Sequence, residues 1–344
     1  MRVFPTTRAA RCRLAVLLLI VVSPVLAYVV WSPGSAVTDG RHDQGTNGIW
    51  MSHRWLGDDA WFQDNGREAL RPQYRDPAYI EETLGMLAQR GVVDLMPHLC
   101  PCDVHGALPA VDAAQVERVL DTAQRHGQRV LPWVGGVFGD GCLPERVEWR
   151  RAFVASVVAL LEAHPRLAGI HLNVEPWPDG NADMLLLLDE LRAAMPNDKT
   201  ISVAAYPPPT RWQPDEQVHW GETYFRDVAR RCDHLAVMMY DSAVPLRKPY
   251  THLMARWTRE VLMWSEGREV LLGLPAYDDA GVGYHDPAVE NLSTGLAGVH
   301  AGIAQLDHPN TKTLAPGYRG IALYSLWEID AEEWALFDER FARP

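Results

Sequence analysis

Between residues 48 and 344, short apolar runs alternate eight times with longer amphipathic segments of helical period. The runs begin near Gly48, Val92, Arg129, Gly169, Thr200, His234, Glu269 and Gly320. Their cores are 49–51, 92–96, 130–134, 170–174, 201–205, 235–239, 270–274 and 321–326. The intervening segments carry helix punctuation. Asp76-Pro77 opens the first and Gly91 closes it, while Asp112 and Gly127 bracket the second. Asn181 caps the segment holding Met184 to Leu188, Pro196 stops it, and a last helix starts near Ala331. Strand–helix alternation on this scale predicts a parallel sheet, and eight units predict a closed (β/α)8 TIM barrel. The rival, an open doubly wound sheet, normally has a glycine-rich phosphate turn after its first strand. Val134-Gly135-Gly136-Val137 comes nearest to such a turn and lacks the spacing.

The fourth run, Gly169-Ile170-His171-Leu172-Asn173-Val174-Glu175, alternates polar and aliphatic residues with a period of two. In a barrel strand this places His171, Asn173 and Glu175 inside, with the aliphatic residues facing the helices. Asn173 and Glu175 then have Cα atoms roughly 6.6–7 Å apart on one face, within reach of the same substrate atoms. Pro176 ends the strand, so Glu175 stands at the C-terminal mouth, where barrel enzymes place their chemistry. Glu175 is read as a catalytic acid. His171, one layer down, is read either as a neutral, hydrogen-bonded core residue or as a further sugar-binding group.

The chain carries a formal charge of −12, and its only lysines are Lys199, Lys248 and Lys312. That acidity argues against a nucleic-acid partner, whose phosphates require neutralising. Near the start, Arg2, Arg8, Arg11 and Arg13 precede an apolar run from Leu14 to Trp31. Its core, 14–22, has signal-peptide length, and Val25-Leu26-Ala27 offers small residues for cleavage. Read through as 14–31, the run is long enough for an uncleaved membrane anchor. Either way the expectation is export, to a secreted, periplasmic or membrane-anchored location. Residues 32–46 read as a flexible linker rich in Gly, Ser, Asp and Thr, leaving 47–344 for the barrel.

Export favours a disulfide from Cys142 to Cys100 or Cys102, which fall in successive strand-to-helix loops. Cys232 reads as a buried free thiol. The run His98-x-Cys100-x-Cys102-x-x-His105 has no standard zinc spacing, so no metal and no cofactor are expected. The oligomeric state is left open.

Three further strand ends then matter together. The sixth reads Met238-Met239-Tyr240-Asp241, the seventh Gly273-Leu274-Pro275-Ala276-Tyr277, and the eighth runs from Gly320 to Tyr324 and on to Trp327. Over most of residues 48–344 this order resembles glycoside hydrolase family 18, the chitinase-like barrels. Met238, Tyr240 and Asp241 match that family's M-x-Y-D, and Glu175 matches the acid that ends its D-x-x-D-x-D-x-E motif. The three motif aspartates are replaced here by Ala168, His171 and Asn173. Asn173-x-Glu175 is similar instead to the endo-N-acetylglucosaminidases of family 85. Tyr324 takes the register of the family's eighth-strand Trp, with Trp327 three residues on.

The resemblance implies a retaining glycosidase acting on an N-acetylhexosamine glycan, in which the substrate's own acetamido group is the nucleophile. It implies Glu175 as general acid and base, Asn173 and Tyr240 as acetamide-positioning groups, and Asp241 as a ligand to a sugar hydroxyl. Tyr324, Trp327 and Trp50 are expected to stack on sugar faces. The other readings are a non-catalytic, lectin-like barrel and a two-carboxylate glycosidase. The second lacks a Glu after strand seven, where Asp278 and Asp279 stand. The short stretch 277–290 predicts an open cleft, without the α+β insertion many chitinases carry there.

Overall fold

The computed structural model describes residues 22–211, 213–279, 284–306 and 316–343. The chain divides into two units, Met1–Pro33 and Gly34–Pro344. In the first, residues 22–30 are an exposed helix. Most of the expected signal core, 14–21, lies outside the described residues. No described helix is long and apolar enough to cross a membrane.

The second unit is a parallel barrel. Its strands are β1 (Asn47–Met51), β2 (Val92–Pro97), β3 (Arg129–Val130 and Trp133–Phe138), β4 (Gly169–Glu175), β5 (Thr200–Ala205), β6 (His234–Met238), β7 (Glu269–Pro275) and β8 (Tyr318–Tyr324). Each pairs in parallel with the next, and β8 pairs with β1. β3 is interrupted at Leu131-Pro132, because proline offers no N–H to a ladder. Its first half pairs with β2 and its second with β4, and the Leu99 N–H donates to the Trp133 carbonyl across the break. The ring is thereby closed.

A helix follows each strand: α1 (Pro77–Gln89), α2 (Ala113–Arg125), α3 (Val147–Ala163), α4 (Ala182–Ala194), α5 (Glu222–Ala229), α6 (Arg247–Trp264), α7 (Leu292–Leu306) and α8 (Ala331–Arg340). The sequence caps act as expected. The side chains of Asp76, Asp112 and Asn181 accept the backbone N–H of Ala78, Gln115 and Met184. Asp330 and Glu333 form a reciprocal capping box on α8. Such caps typically contribute about 1 kcal/mol each. The alternation in β4 resolves as read: Ile170, Leu172 and Val174 are buried in the apolar layer beneath the helices.

Residues 34–46 correct the linker expectation. Ser35 N–H donates to Ala297 O, His42 is buried against His300, and Asp43 accepts from Asn47 Nδ2 and Arg343 N–H. Small, polar residues read as a linker because they lack an apolar pattern. Here they are held by hydrogen bonds instead.

Candidate active site

Glu175 ends β4 as an exposed residue: its carboxyl opens on a cavity, and protein is packed densely around that opening. Asn173 Nδ2–H donates to its Oε1 at 2.7 Å, and the Tyr206 hydroxyl, just beyond β5, lies 3.4 Å from Oε2. Burial holds the Glu175 carboxyl above the ordinary carboxylate range, and the charge of Asp241 adds to this. The bonds from Asn173 and Tyr206 oppose it without reversing it. Asn173 Oδ1 is buried and has no partner. Gly135 lets β3 approach this pair closely. Its φ is +128°, and a Cβ there would stand 2.0 Å from the Asn173 carbonyl oxygen.

Beneath the pair lies a sealed layer. Trp50 Nε1–H donates to His171 Nε2 at 2.9 Å, which leaves the imidazole proton on Nδ1, facing Ser202 Oγ at 2.7 Å. Burial, then the neighbouring His234, pushes the His171 pKa well down, so the ring is neutral. Trp50 is 1% exposed and His171 0%. Their assignment as sugar-contacting residues is corrected: both are floor beneath the site, because their polar atoms are spent on each other. Above them Tyr240 and Tyr324 stack, centroids 5.2 Å apart and planes 23° from parallel.

Asp241 follows β6 at a positive φ of 55°. Its carboxylate accepts from the Tyr277 hydroxyl and stands 3.7 Å from His285 Nδ1. The same Nδ1 lies 3.8 Å from Glu290, a carboxylate with no exposed surface that also accepts from Ser242 N–H and Oγ–H. His285 Nε2 faces the Tyr277 carbonyl oxygen at 3.1 Å, an atom that only accepts, so Nε2 carries a proton. Nδ1 is buried and stands between the two carboxyl groups without a hydrogen bond to either. Burial alone would lower the His285 pKa, but Glu290 and Asp241 outweigh it and the net shift is upward. Asp241 itself is raised, first by burial and further by Glu290. These three side chains are the metal-type grouping present among the described residues. The arrangement found is an imidazole ring between two carboxyl groups.

Two cavities open on this face. One of about 140 Å³ is lined by Glu175, Tyr206, Met238, Tyr240, Asp241 and Tyr284, among others. The second, of about 250 Å³, lies against Tyr324 and Trp327 and is walled by Trp61, Trp133, His53 and His98. Trp327 is 36% exposed and meets the Tyr324 ring edge-on at 5.4 Å. No strand or helix occurs among the described residues of 277–290. The sequence reading missed His53, His98, Tyr206, His285 and Glu290. Tyr206 and His98 each stand one residue past a strand, so the strand-end rule would have found them. Nothing local marks the other three.

The cysteine expectation is settled in part. Cys102 Sγ lies 3.2 Å from Cys142 Sγ, while Cys100 Sγ faces the Trp133 carbonyl. All four described cysteines are buried thiols, so the expected disulfide is not formed. Its partner would be Cys102. His105 is exposed and does not join them.

Comparison with known proteins bears on the fold. No family sequence model and no curated protein matches the chain. Solved structures do match. A fungal endo-β-N-acetylglucosaminidase of glycosyl hydrolase family 18 aligns with a TM-score of 0.55 and 12% identity, over 86% of this chain and 96% of that one. The chain has the chitinase-type barrel fold. The Bacillus cereus spore cortex-lytic enzyme SleL aligns with a TM-score of 0.54 and 11% identity, over 86% and 74%. A chitinase from Bacteroides thetaiotaomicron gives 0.50 and 14%, over 85% and 93%. The similarity spans the barrel and is too distant to carry an activity across.

Proposed function

We propose that the protein is an exported glycoside hydrolase that cleaves an N-acetylhexosamine-containing glycan with retention. The observation that carries this reading is the Asn173–Glu175 pair: a carboxyl kept protonated above the usual range, beside a buried amide oxygen with nothing to accept. Glu175 gives its proton to the glycosidic oxygen as the C1–O bond breaks, and the acetamido carbonyl oxygen closes on C1. The Glu175 carboxylate then takes a proton from the water that reopens this ring at C1, restoring the acid. Asn173 Oδ1 accepts the acetamido N–H and aims its carbonyl at C1. The Asn173 amide presents its nitrogen to Glu175 Oε1, which leaves its oxygen for substrate. Tyr240 adds its hydroxyl to the acetamide, and Asp241 takes a sugar hydroxyl. Tyr324 and Trp327 supply apolar faces for sugar rings.

Asn173 brings no negative charge to the developing cation, which favours one rival, a lectin-like barrel without turnover. Reducing-sugar release by full-length protein from N-acetylhexosamine oligomers, with Glu175→Gln alongside, separates the two. Release lost in the variant supports the hydrolase. Oligomer binding that is equal in both proteins, with no release by either, supports the lectin.

A further inference from the structure

The second cavity is lined by a cation that forms no ion pair among the described residues. Arg54 lines it, and its Nη1 donates to the Tyr74 hydroxyl at 2.9 Å. The guanidinium sits 5.1 Å from the Trp61 ring centroid and 5.3 Å from that of Tyr74. Among the described residues Arg54 forms no ion pair, its Nε is buried without a partner, and its Nη2 meets no protein acceptor. Arginines nearby behave differently: Arg71 and Arg75 share the Asp59 carboxylate at 2.8 and 2.7 Å. Two aromatic rings and a phenol hydroxyl fix a guanidinium in place without cancelling its charge. An anion is the partner left open to it.

The rest of the cavity says what carries that anion. Trp327 and Tyr324 offer apolar faces of the kind sugar rings pack on, and Trp133 stands behind His98 at 4.2 Å. His53 lies flat on Trp61, with centroids 4.9 Å apart and planes at 13°, and its Nδ1 is another buried atom without a hydrogen-bond partner. Burial, with Arg54 adding, pushes His53 down to about 4, and burial pushes His98 well down too. Both rings are neutral, and His53 Nδ1 stands 4.0 Å from the buried Asp58 carboxyl, which does not line the cavity. Arg54 is therefore the only formal charge among the described lining residues. One positive charge in an otherwise neutral, aromatic cleft of a chain at −12 matches one negative charge. A doubly charged phosphate would be left half unbalanced.

We infer that this cleft is a subsite for a carboxylate-bearing sugar, whose carboxylate pairs with Arg54 while its ring lies against Trp327 and Tyr324. This deepens the glycosidase reading and rests on it for the presence of a glycan. The carboxylate can belong to a 3-O-lactyl ether on an N-acetylhexosamine or to a hexuronic acid.

The test measures binding, so it does not depend on turnover. Full-length protein carrying Glu175→Gln is titrated calorimetrically with two oligosaccharides, one containing muramyl residues and one containing hexuronates. Each is paired with its carboxyl-reduced alcohol. The expected result is a carboxylated-to-reduced affinity ratio of about ten or more for one of them, from the usual strength of a charge-assisted bond. That arm identifies the source of the carboxylate. Arg54→Gln should bring the ratio to about one, and Arg54→Lys should leave it between, because lysine keeps the charge and loses the planar fork. Thermal unfolding of each variant confirms that it is folded. A ratio near one before Arg54 is changed overturns the inference while leaving the glycosidase reading intact. So does a ratio that survives Arg54→Gln. Binding of none of the four sugars, with the wild-type protein active on neutral oligomers, also overturns it. Binding of none, with no activity of the wild-type protein on any oligomer, removes both readings.

Discussion

The two ends of the barrel balance charge in opposite ways. At the N-terminal end, Asp94 on β2 has no exposed surface and meets two guanidinium groups, Arg129 Nε at 2.7 Å and Arg319 Nη2 at 3.1 Å. Arg319 also reaches Glu269, so the cluster is close to neutral. At the C-terminal end Glu175, Asp241 and Glu290 share one region, and the ion-pair partner found there is His285. Buried charge at the first end is matched and serves the fold. At the second it is under-matched, and desolvation first, with the neighbouring like charge adding to it, raises the Glu175 and Asp241 pKa values as acid catalysis requires. An unbalanced carboxylate in a barrel is thus informative only when compared with how the same barrel treats its other buried acids.

The comparison can be broken most severely at Glu175. Glu175→Gln should lower hydrolysis by about a thousandfold, within the usual range for removing a general acid, and leave oligosaccharide binding measurable. The same change should raise the thermal midpoint at neutral pH. The sign follows from linkage: a carboxyl whose folded pKa is raised favours the native state while protonated and loses that advantage as pH rises through the folded value. The variant escapes that loss, so its advantage appears above the folded pKa and disappears below the unfolded value of about 4.3. A midpoint difference independent of pH would contradict the raised pKa.

At the opposite end the expectation reverses. Asp94→Asn leaves Arg129 without a counter-charge and Arg319 with Glu269 alone, and should destabilise the barrel by about 3 kcal/mol, the low end for breaking a buried pair, read from urea unfolding. The activity of the folded fraction should not change. A smaller effect follows at His285. His285→Gln removes a group that lowers the Asp241 pKa, so the acid limb of the kcat/KM profile should move to higher pH, with about a tenfold loss at the acid edge. An unmoved acid limb would deny Asp241 its role in binding. The basic limb, set by Glu175, should lie above the ordinary carboxylate range in both proteins. Trp327→Ala should have the smallest effect. Its ring is partly exposed, and KM should rise about two- to tenfold with kcat unchanged.

What was legible in the sequence was periodic or local. The period of two in residues 169–175 placed Glu175 at a strand end, and that placement holds. Helix starts at Asp76, Asp112 and Asn181 were readable because a cap bonds to residues two or three positions away. Trp50 and His171 were misjudged because 121 residues separate them and barrel closure alone brings indole to imidazole. The linker reading failed for a similar reason, since composition does not record hydrogen bonds between residues 35 and 297.

By itself, then, the sequence determined the eight strand–helix units, their caps and the acid at the end of the fourth strand, since each depends on neighbours within a turn or a strand. Tertiary structure alone decided which of those groups are floor and which are open. It set His285 between Asp241 and Glu290, matched Asp94 to two arginines and left Arg54 without an ion pair among the described residues. Charge balance in a barrel is a property of facing strands and loops, and it comes into being only when the ring closes.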